Sequence, residues 1–311
     1  MTFIQGGVCT YVEGWSNGTF VTEKLRIQGK NILKLDLKRY NVGHSVMMTY
    51  DGKLMSCGGY YNKNCYELQE GRWVHHSTLD KLRPNAVGIA MPNGLYMFEG
   101  LKNPYSSEFL PIGRNVWESG PKIPALCSKF SILKPIIFLR HIIRHFFQRW
   151  TAKAWYSTGH KLSEHEFIII KVDQVFKFDT IKKEWTVFHD LKIPRECYSS
   201  FIFKGKLFIT GGCGMYGSLG SKILANTEVV DLSTMKSTLL GNLNTARIYH
   251  GMSIMKINNE LKLVVFGGQT TFDYSHMLDS IEVWNEDTKS WNNSEIKLPH
   301  KNSRFATTPI F

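Results

Sequence analysis

The sequence predicts an all-β protein in which one four-stranded unit recurs along the chain. Three observations support this prediction: short apolar runs with the spacing of strands, glycine pairs that close several of those runs, and a tryptophan after the acidic turn of most units. Aromatic residues make up 13% of the 311 residues and hydrophobic residues 43%, which suits packing between stacked sheets. We expect a single domain over residues 1–311.

The unit is clearest in KLVVFGGQTTFDYSHMLDSIEVWNEDTKSW, residues 262–291. A small-residue strand leads to a turn, a strongly apolar strand ends at Gly-Gly, and a polar loop precedes a strand that ends at an acidic turn. A tryptophan then opens the fourth strand. The second glycine of each unit is assigned to Gly7, Gly59, Gly100, Gly159, Gly212 and Gly268. Their spacing is about 50 residues, a period typical of propeller blades.

This pattern resembles the kelch-repeat β-propeller family over almost the whole chain. The resemblance is carried by the blade starts VGHS and IYHG, and by Gly58, Gly59, Gly211, Gly212, Gly267, Gly268, Trp73, Trp117, Trp185 and Trp291. It implies four-stranded blades that bury their faces against one another around an axis. A phosphate-binding loop is excluded, because no glycine pair is followed by a helix or by Gly-Lys-Ser/Thr.

We predict six blades, with one blade shared between the two ends of the sequence. NSRFATTPIF at the C-terminus reads as a first strand, and MTFIQGGV at the N-terminus reads as a second strand. Pairing them would complete the sixth blade and leave no long exposed edge. Two units depart from the pattern: Glu99-Gly100 replaces a glycine pair, and Ser237 stands where tryptophan is expected.

SILKPIIFLRHIIRHFFQRW, residues 131–150, has apolar residues at helical spacing and no acidic residue. It predicts a basic amphipathic helix. One interpretation is an insertion between the first and second strands of the third blade. A second is a helix that binds a membrane surface or a partner. A third is that the segment is not natural and comes from translated unspliced sequence.

Arginines occur at one register of the repeat, where each first strand begins: Arg83, Arg195, Arg247 and Arg304. They predict a ring around one mouth of the channel, because guanidinium groups bind carboxylates well. In kelch proteins that recruit acidic peptides, arginines at similar places make the contact. The alternative is a structural role in which arginine caps neighbouring carbonyls. Loops after the glycines add Tyr60, Tyr61, Tyr105, Tyr216 and Tyr274 as candidate partner-binding residues.

Candidates for catalysis or metal binding are weak. GHKLSEHE groups His160 and His165 with two glutamates, and His141 and His145 are four residues apart, but neither set has a third ligand at fixed spacing. No common hydrolase, metalloprotease or kinase motif is present. We therefore predict no catalytic residue, no metal and no cofactor.

Cys57 and Cys65 flank the turn in CGGYYNKNC, so two adjacent antiparallel strands could bring them within disulfide distance. This arrangement resembles extracellular kelch-like proteins. Asn17 and Asn292 lie in glycosylation sequons. The segment MTFIQGGVCT, in contrast, does not have the pattern of a signal peptide. The sequence leaves a cytoplasmic and a secreted location both open.

The net charge of +12 favours acidic partners. No apolar stretch has the length of a membrane span, about 18 to 20 residues. The sequence predicts a non-catalytic platform that binds an acidic protein partner at an arginine- and tyrosine-lined channel mouth. An alternative is a propeller enzyme or carbohydrate-binding protein that acts in the channel. Nucleic acid is not expected, since it would need a continuous basic stripe.

Overall fold

The computed structural model describes residues 9–310 except for 17–18, 29–30, 34–35, 38–45, 51, 60, 71, 101–104, 125–156, 215–221, 259 and 274. Side chains are described only within residues 46–303. The described part is all-β and contains no helix. The predicted helix at residues 131–150 lies outside the described residues.

Four strands at the N-terminal end form hairpins. They are β1 (Cys9–Ser16), β2 (Thr19–Gln28), β3 (Asn31–Leu33) and β4 (Asp36–Leu37). β1 pairs with β2, which pairs in turn with β3 and β4 along different parts of its length.

Five four-stranded antiparallel units follow, here called sheets 1 to 5. Sheet 1 is β5 (Val46–Tyr50), β6 (Lys53–Cys57), β7 (Asn64–Gln69) and β8 (Arg72–Thr78). Sheet 2 is β9 (Val87–Met91), β10 (Gly94–Phe98), β11 (Ser107–Pro111) and β12 (Glu118–Ser119). Sheet 3 is β13 (Thr158–Lys161), β14 (Glu166–Lys171), β15 (Gln174–Asp179) and β16 (Glu184–Asp190).

A short strand, β17 (Arg195–Glu196), precedes sheet 4, which comprises β18 (Ser199–Phe203), β19 (Lys206–Thr210), β22 (Thr227–Asp231) and β23 (Ser237–Leu240). β17 pairs with β20 (Cys213–Gly214), which pairs with β21 (Lys222–Ile223). Sheet 5 comprises β24 (Gly251–Ile257), β25 (Glu260–Phe266), β26 (Leu278–Asn285) and β27 (Ser290–Ile310).

The core lies between successive sheets. Buried side chains of sheets 1 and 2 form one cluster, and further clusters join sheets 2 and 3, sheets 3 and 4, and sheets 4 and 5. Each central strand is apolar on both faces: Phe167, Ile168, Ile169 and Ile170 in β14 are all 0% exposed. A sheet covered on both faces needs this composition, because each face packs on a different neighbour.

The first strands of neighbouring sheets contact one another in the order β5, β9, β13, β18 and β24. β27 contacts both β24 and β5, so these contacts close a circle. The end of β27 is antiparallel to β1, with Cys9 opposite Ile310 and Trp15 opposite Ser303. A pairing between the two terminal segments is therefore present, but it uses Cys9–Ser16. The predicted strand at residues 1–8 lies outside the described part.

The third repeat differs from the sequence-based assignment. Gly159 lies in the first strand, β13, rather than at the end of a second strand. The second strand, β14, ends at Lys171, and the next residue, Val172, has φ +46° where sheets 1, 4 and 5 have glycine. Because β13–β16 form a complete sheet, residues 131–150 precede its first strand. The predicted position between the first and second strands is wrong.

Candidate functional site

Two kinds of connection meet at one end of the sheets. One joins the second strand of a sheet to the third, and the other joins the fourth strand to the next sheet. A Cβ added to Gly58 would lie 3.3 Å from the Leu79 side chain and 3.5 Å from the carbonyl of Arg83. We call this the double-glycine end, defined by Gly58-Gly59, Glu99-Gly100, Gly211-Gly212 and Gly267-Gly268. Propellers commonly place functional loops at such an end.

The arginines of the repeat start at this end, but their side chains point into the protein. Arg83, Arg195 and Arg247 are each 0% exposed. Each Nη1 donates to the carbonyl of the first residue in a doublet, at 2.6 Å from Glu99, 3.0 Å from Gly211 and 2.8 Å from Gly267. This corrects the expectation that these three line an accessible channel mouth: their donors already bind the backbone.

Each buried arginine has a buried glutamate beside it on the third strand of the same sheet. Arg83 Nε lies 2.6 Å from Glu108, and Arg247 Nη2 lies 2.5 Å from Glu282. Arg195 Nη2 is 3.9 Å from Glu228. Burial lowers the pKa of Arg247, and the Glu282 carboxylate opposes that effect. The pairing compensates two charges that burial would otherwise make very unfavourable.

The same glutamates also hold the segments that connect the sheets. Glu228 accepts hydrogen bonds from the amides of Lys192, at 2.8 Å, and Ile193, at 3.3 Å. Glu282 accepts from the amides of Asn244, at 2.7 Å, and Thr245, at 3.2 Å. Glu108 does the same for Asp80 and Lys81. Each arginine–glutamate pair, with these amides, forms what we call a clamp.

Sequence reasoning identified the arginines of the clamps and missed the glutamates. A usable signal was present. Glutamate recurs early in the third strand in SEFL, TEVV and IEVW, and leucine recurs four residues before each arginine in LDKLR, LKIPR and LNTAR. Those leucines are buried, so both residues of the pattern support the sheet-to-sheet connection. Arg304 occupies β27, and its side chain lies outside the described part.

Exposed aromatic side chains come from three different sheets at the double-glycine end. Tyr61 is 86% exposed, Tyr105 is 41% exposed and Phe272 is 49% exposed. The Lys171 ammonium lies 5.4 Å from the centre of the Tyr105 ring, a cation–π distance. Tyr60, Tyr216 and Tyr274 lie outside the described residues. Large exposed aromatics are typical of surfaces that bind proteins.

The charged residues exposed at the double-glycine end are mostly basic. Exposed lysines there are Lys63, Lys81, Lys122, Lys192 and Lys222, and exposed acids there are Asp80 and Asp273. Hydrogen bonds from Ser275 and Thr271 hold the pKa of Asp273 below its ordinary value. The described loops therefore combine aromatic rings with an excess of positive charge.

A buried ion pair joins sheets 2 and 3 beneath Tyr105. Lys171 Nζ lies 2.5 Å from Glu99, and the Ser157 hydroxyl donates to the other Glu99 oxygen at 2.6 Å. Glu99 has φ +62°, the left-handed conformation that glycine adopts in other sheets. The ion pair provides a reason for a glutamate at this position despite its backbone conformation.

The histidines considered as metal ligands do not converge in the structure. His160 Nε2 lies 2.7 Å from Ser200 Oγ, whereas Glu164 pairs with Lys161 and Glu166 pairs with Lys177. Burial lowers the pKa of His160 to about 4. Within the described residues, no three His, Cys, Asp or Glu side chains are grouped for a metal ion. His141 and His145 lie outside those residues.

Cys57 and Cys65 face each other across β6 and β7, and both are 0% exposed. Their sulfur atoms are 2.19 Å apart, as in a disulfide. The chemical state of the pair in the protein stays a prediction. Of the two sequons, Asn292 is exposed on β27, and Asn17 is outside the described residues.

In the described residues, no helix has the length and apolar character that crossing a membrane would require.

Three of the four tryptophans of the repeat lie at contacts between sheets. Trp117 donates to the hydroxyl of Ser77 in sheet 1 at 3.0 Å, and Trp291 donates to Thr227 in sheet 4 at 2.8 Å. Trp185 packs against the cluster between sheets 2 and 3, and Trp73 packs on Met47 and Leu54 of its own sheet.

Comparison with known proteins supports this architecture. The solved structure of YjhT, a kelch-type propeller, superposes with a TM-score of 0.66 over 92% of this chain and 94% of that chain, at 13% identity. Beta-scruin of Limulus polyphemus is 26% identical over 128 residues, 40% of this chain and 13% of scruin. An F-box/kelch-repeat protein of Arabidopsis thaliana is 27% identical over 124 residues, 40% of this chain and 31% of its own length.

The resemblance to kelch-repeat proteins is confirmed. Alpha-scruin of Limulus polyphemus is a further kelch-repeat relative, 24% identical over 119 residues, which are 38% of this chain and 12% of that protein. No protein-family profile matches the chain. The chain spans well under half the length of these curated relatives. The arrangement of sheets is consistent with a kelch propeller, and the count of six blades stays a prediction.

Proposed function

We propose that this kelch-repeat protein is a non-catalytic interaction platform that binds a protein partner at the double-glycine end. The proposal rests on one observation: Tyr61, Tyr105 and Phe272 come from three sheets, lie at the same end and keep between 41% and 86% of their surface exposed. Kelch relatives bind proteins, which supports the same function here.

The proposed partner is acidic, because lysines predominate among the exposed charges of the double-glycine end. In this proposal the aromatic rings and lysines contact the partner. The clamp arginines Arg83, Arg195 and Arg247 do not contact the partner. They support the binding face indirectly, since they hold the connecting segments in place. Arg304 keeps its proposed role as a partner-binding residue. We also propose a sixth blade made by the end of β27 with β1–β4.

Photo-crosslinking tests the binding face. Benzoylphenylalanine is placed at Tyr61 or Phe272 in separate variants, and at Ile181 as a control. Ile181 is 68% exposed and lies in the turn between the third and fourth strands of sheet 3, at the opposite end. We expect the first two variants to form a common crosslinked product in the protein's native extract, and the control to lack it. A product formed equally from Ile181 would contradict the proposal.

The identified partner then allows affinity to be measured. Tyr61→Ala with Phe272→Ala is expected to weaken binding about tenfold or more, because truncation of each central aromatic commonly costs more than about 1 kcal/mol. The double variant Lys63→Glu/Lys192→Glu is expected to lower the affinity for the partner. The affinity of this variant should also depend less on salt concentration. Unchanged affinity in both double variants would exclude this face.

A further inference from the structure

A second pair of cysteines, Cys197 and Cys213, lies at the double-glycine end beside sheet 4. Cys197 follows β17 directly, and Cys213 begins β20. Glu196 and Cys213 are opposite residues in the antiparallel ladder of these strands. Opposite Cα atoms in such a ladder are about 4.5–5.5 Å apart. Cys197 is the next residue along the chain from Glu196, so its Cα is also close to that of Cys213, and a disulfide needs Cα atoms about 4.4–6.8 Å apart.

The two side chains meet despite being on consecutive ladder positions. Cys197 has φ +56°, so the regular alternation of the strand ends there. Both side chains then pack in one small cluster with Ile248. They are 6% and 7% exposed, so both thiols are enclosed in the same cluster.

The two thiols differ in acidity. The hydrogen bond with Cys197 lowers the pKa of the Cys213 thiol. Burial raises the pKa of Cys197 well above its ordinary value, and the hydrogen bond to Cys213 adds to this effect. Since the thiolate is the reactive form, Cys213 is the better nucleophile of the pair.

We propose that Cys197 and Cys213 form a dithiol site that reacts with a small disulfide, of the glutathione disulfide type, and closes to an intramolecular disulfide. The Cys213 thiolate attacks one sulfur of the small disulfide, whose S–S bond breaks and releases one thiolate. Cys197 then loses its proton and attacks the sulfur of Cys213, which releases the second thiolate. Two protein thiols are oxidised and one small disulfide is reduced.

The new bond would join two connections that shape the double-glycine end. Cys197 belongs to the segment that leads from sheet 3 into sheet 4, and Cys213 directly follows Gly211-Gly212. The amide of Tyr249, which leads into sheet 5, donates to the carbonyl of Cys197 at 3.0 Å. Oxidation would thus fix a point where three successive sheets are connected. This inference does not depend on the proposed partner.

The test is oxidation of the folded protein with glutathione disulfide, followed by alkylation of free thiols in denaturant and peptide mapping. We expect a peptide pair linked through Cys197 and Cys213, with both thiols protected from alkylation. Urea-unfolded protein treated in parallel shows that the oxidant can oxidise these cysteines when they are accessible. If both cysteines of the folded protein remain fully alkylated while the unfolded protein is oxidised, the proposal is wrong.

Single variants test the order of attack. In Cys197→Ser, Cys213 is expected to retain one glutathione, because no second thiol resolves the mixed disulfide. In Cys213→Ser, Cys197 is expected to stay unmodified, since its raised pKa keeps the thiol protonated. Equal glutathione adducts on the two variants would overturn the assigned roles. Circular dichroism confirms that each variant is folded before oxidation.

Discussion

The clamp residues show how one side chain can connect several parts of the fold. Arg247 is 0% exposed and binds the carbonyl of Gly267 and the carboxylate of Glu282. Glu282 in turn binds two amides of the segment that leads into sheet 5. Removing either charge leaves the other one buried without a partner of opposite sign. Such a change strongly lowers the free energy of unfolding.

We expect Arg247→Ala to lower the free energy of unfolding by about 3–5 kcal/mol, the usual cost of breaking a buried ion pair. Urea denaturation measures the change. Lys262→Ala is the control, because it breaks the Lys262–Glu260 pair, 2.5 Å long, whose side chains are 41% and 68% exposed. An exposed pair contributes at most about 1 kcal/mol. Similar losses in both variants would refute the structural role of the clamp.

The sequence was informative about the position of the arginines and uninformative about their burial. A recurring Arg in a repeat marks a common structural place, and Arg83, Arg195 and Arg247 do occupy one. Whether the guanidinium points outward depends on a partner such as Glu228, which lies 33 residues further along the chain than Arg195. A single sequence does not reveal that contact, since carboxylates are common on exposed strands as well.

At the level of the strand, glycine has two separate functions in this protein. At the doublets it allows left-handed backbone next to a connecting segment: Gly212 has φ +88°, and a Cβ there would lie 2.6 Å from the carbonyl of Glu196. In first strands it allows neighbouring sheets to approach: a Cβ on Gly159 would lie 2.5 Å from Val87. The sequence pattern does not separate these functions, which explains why the third repeat was misplaced.

Gly212→Ala is expected to destabilise the protein more than Gly205→Ala. Both glycines have positive φ, which costs an L-residue roughly 1–2 kcal/mol. Gly205 lies in the turn between β18 and β19 with nothing within 4 Å of an added Cβ, so it reports the backbone cost alone. Thermal unfolding of the two variants gives the difference. Equal shifts in Tm would show that the close contact at Gly212 is relieved without cost.

At the level of the whole molecule, the periodic pattern predicted the repeated sheets because each blade must bury both faces in the same way. Apolar second strands such as β14 and β25 were therefore visible in the sequence. The proposed binding face was only partly predictable. Tyr61 and Tyr105 are exposed, as the loops suggested, but their exposure and the lysines around them depend on how separate loops converge at one end.

A designed disulfide tests the closure between the ends of the sequence. Tyr11 and Thr308 are opposite residues of β1 and β27. The double variant Tyr11→Cys/Thr308→Cys is expected to crosslink on oxidation and to raise Tm. Closing so long a loop removes conformational entropy from the unfolded chain, about 5–6 kcal/mol in the chain-entropy model. Tyr11→Cys/Thr307→Cys is one residue out of register and is the control. No crosslink in register, or equal crosslinking in both, would contradict the closure.

The pairing of β1 with the end of β27 also bears on the synthesis of the chain. Residues 9–16 emerge from the ribosome before their partner, residues 303–310, which follows nearly three hundred residues later. During that interval the five intervening sheets can stack in order as each is completed, since each contacts its predecessor. β1 meanwhile has an unpaired edge open to other strands. Synthesis of residues 303–310 thus determines when this edge of β1 is paired and can no longer bind other strands.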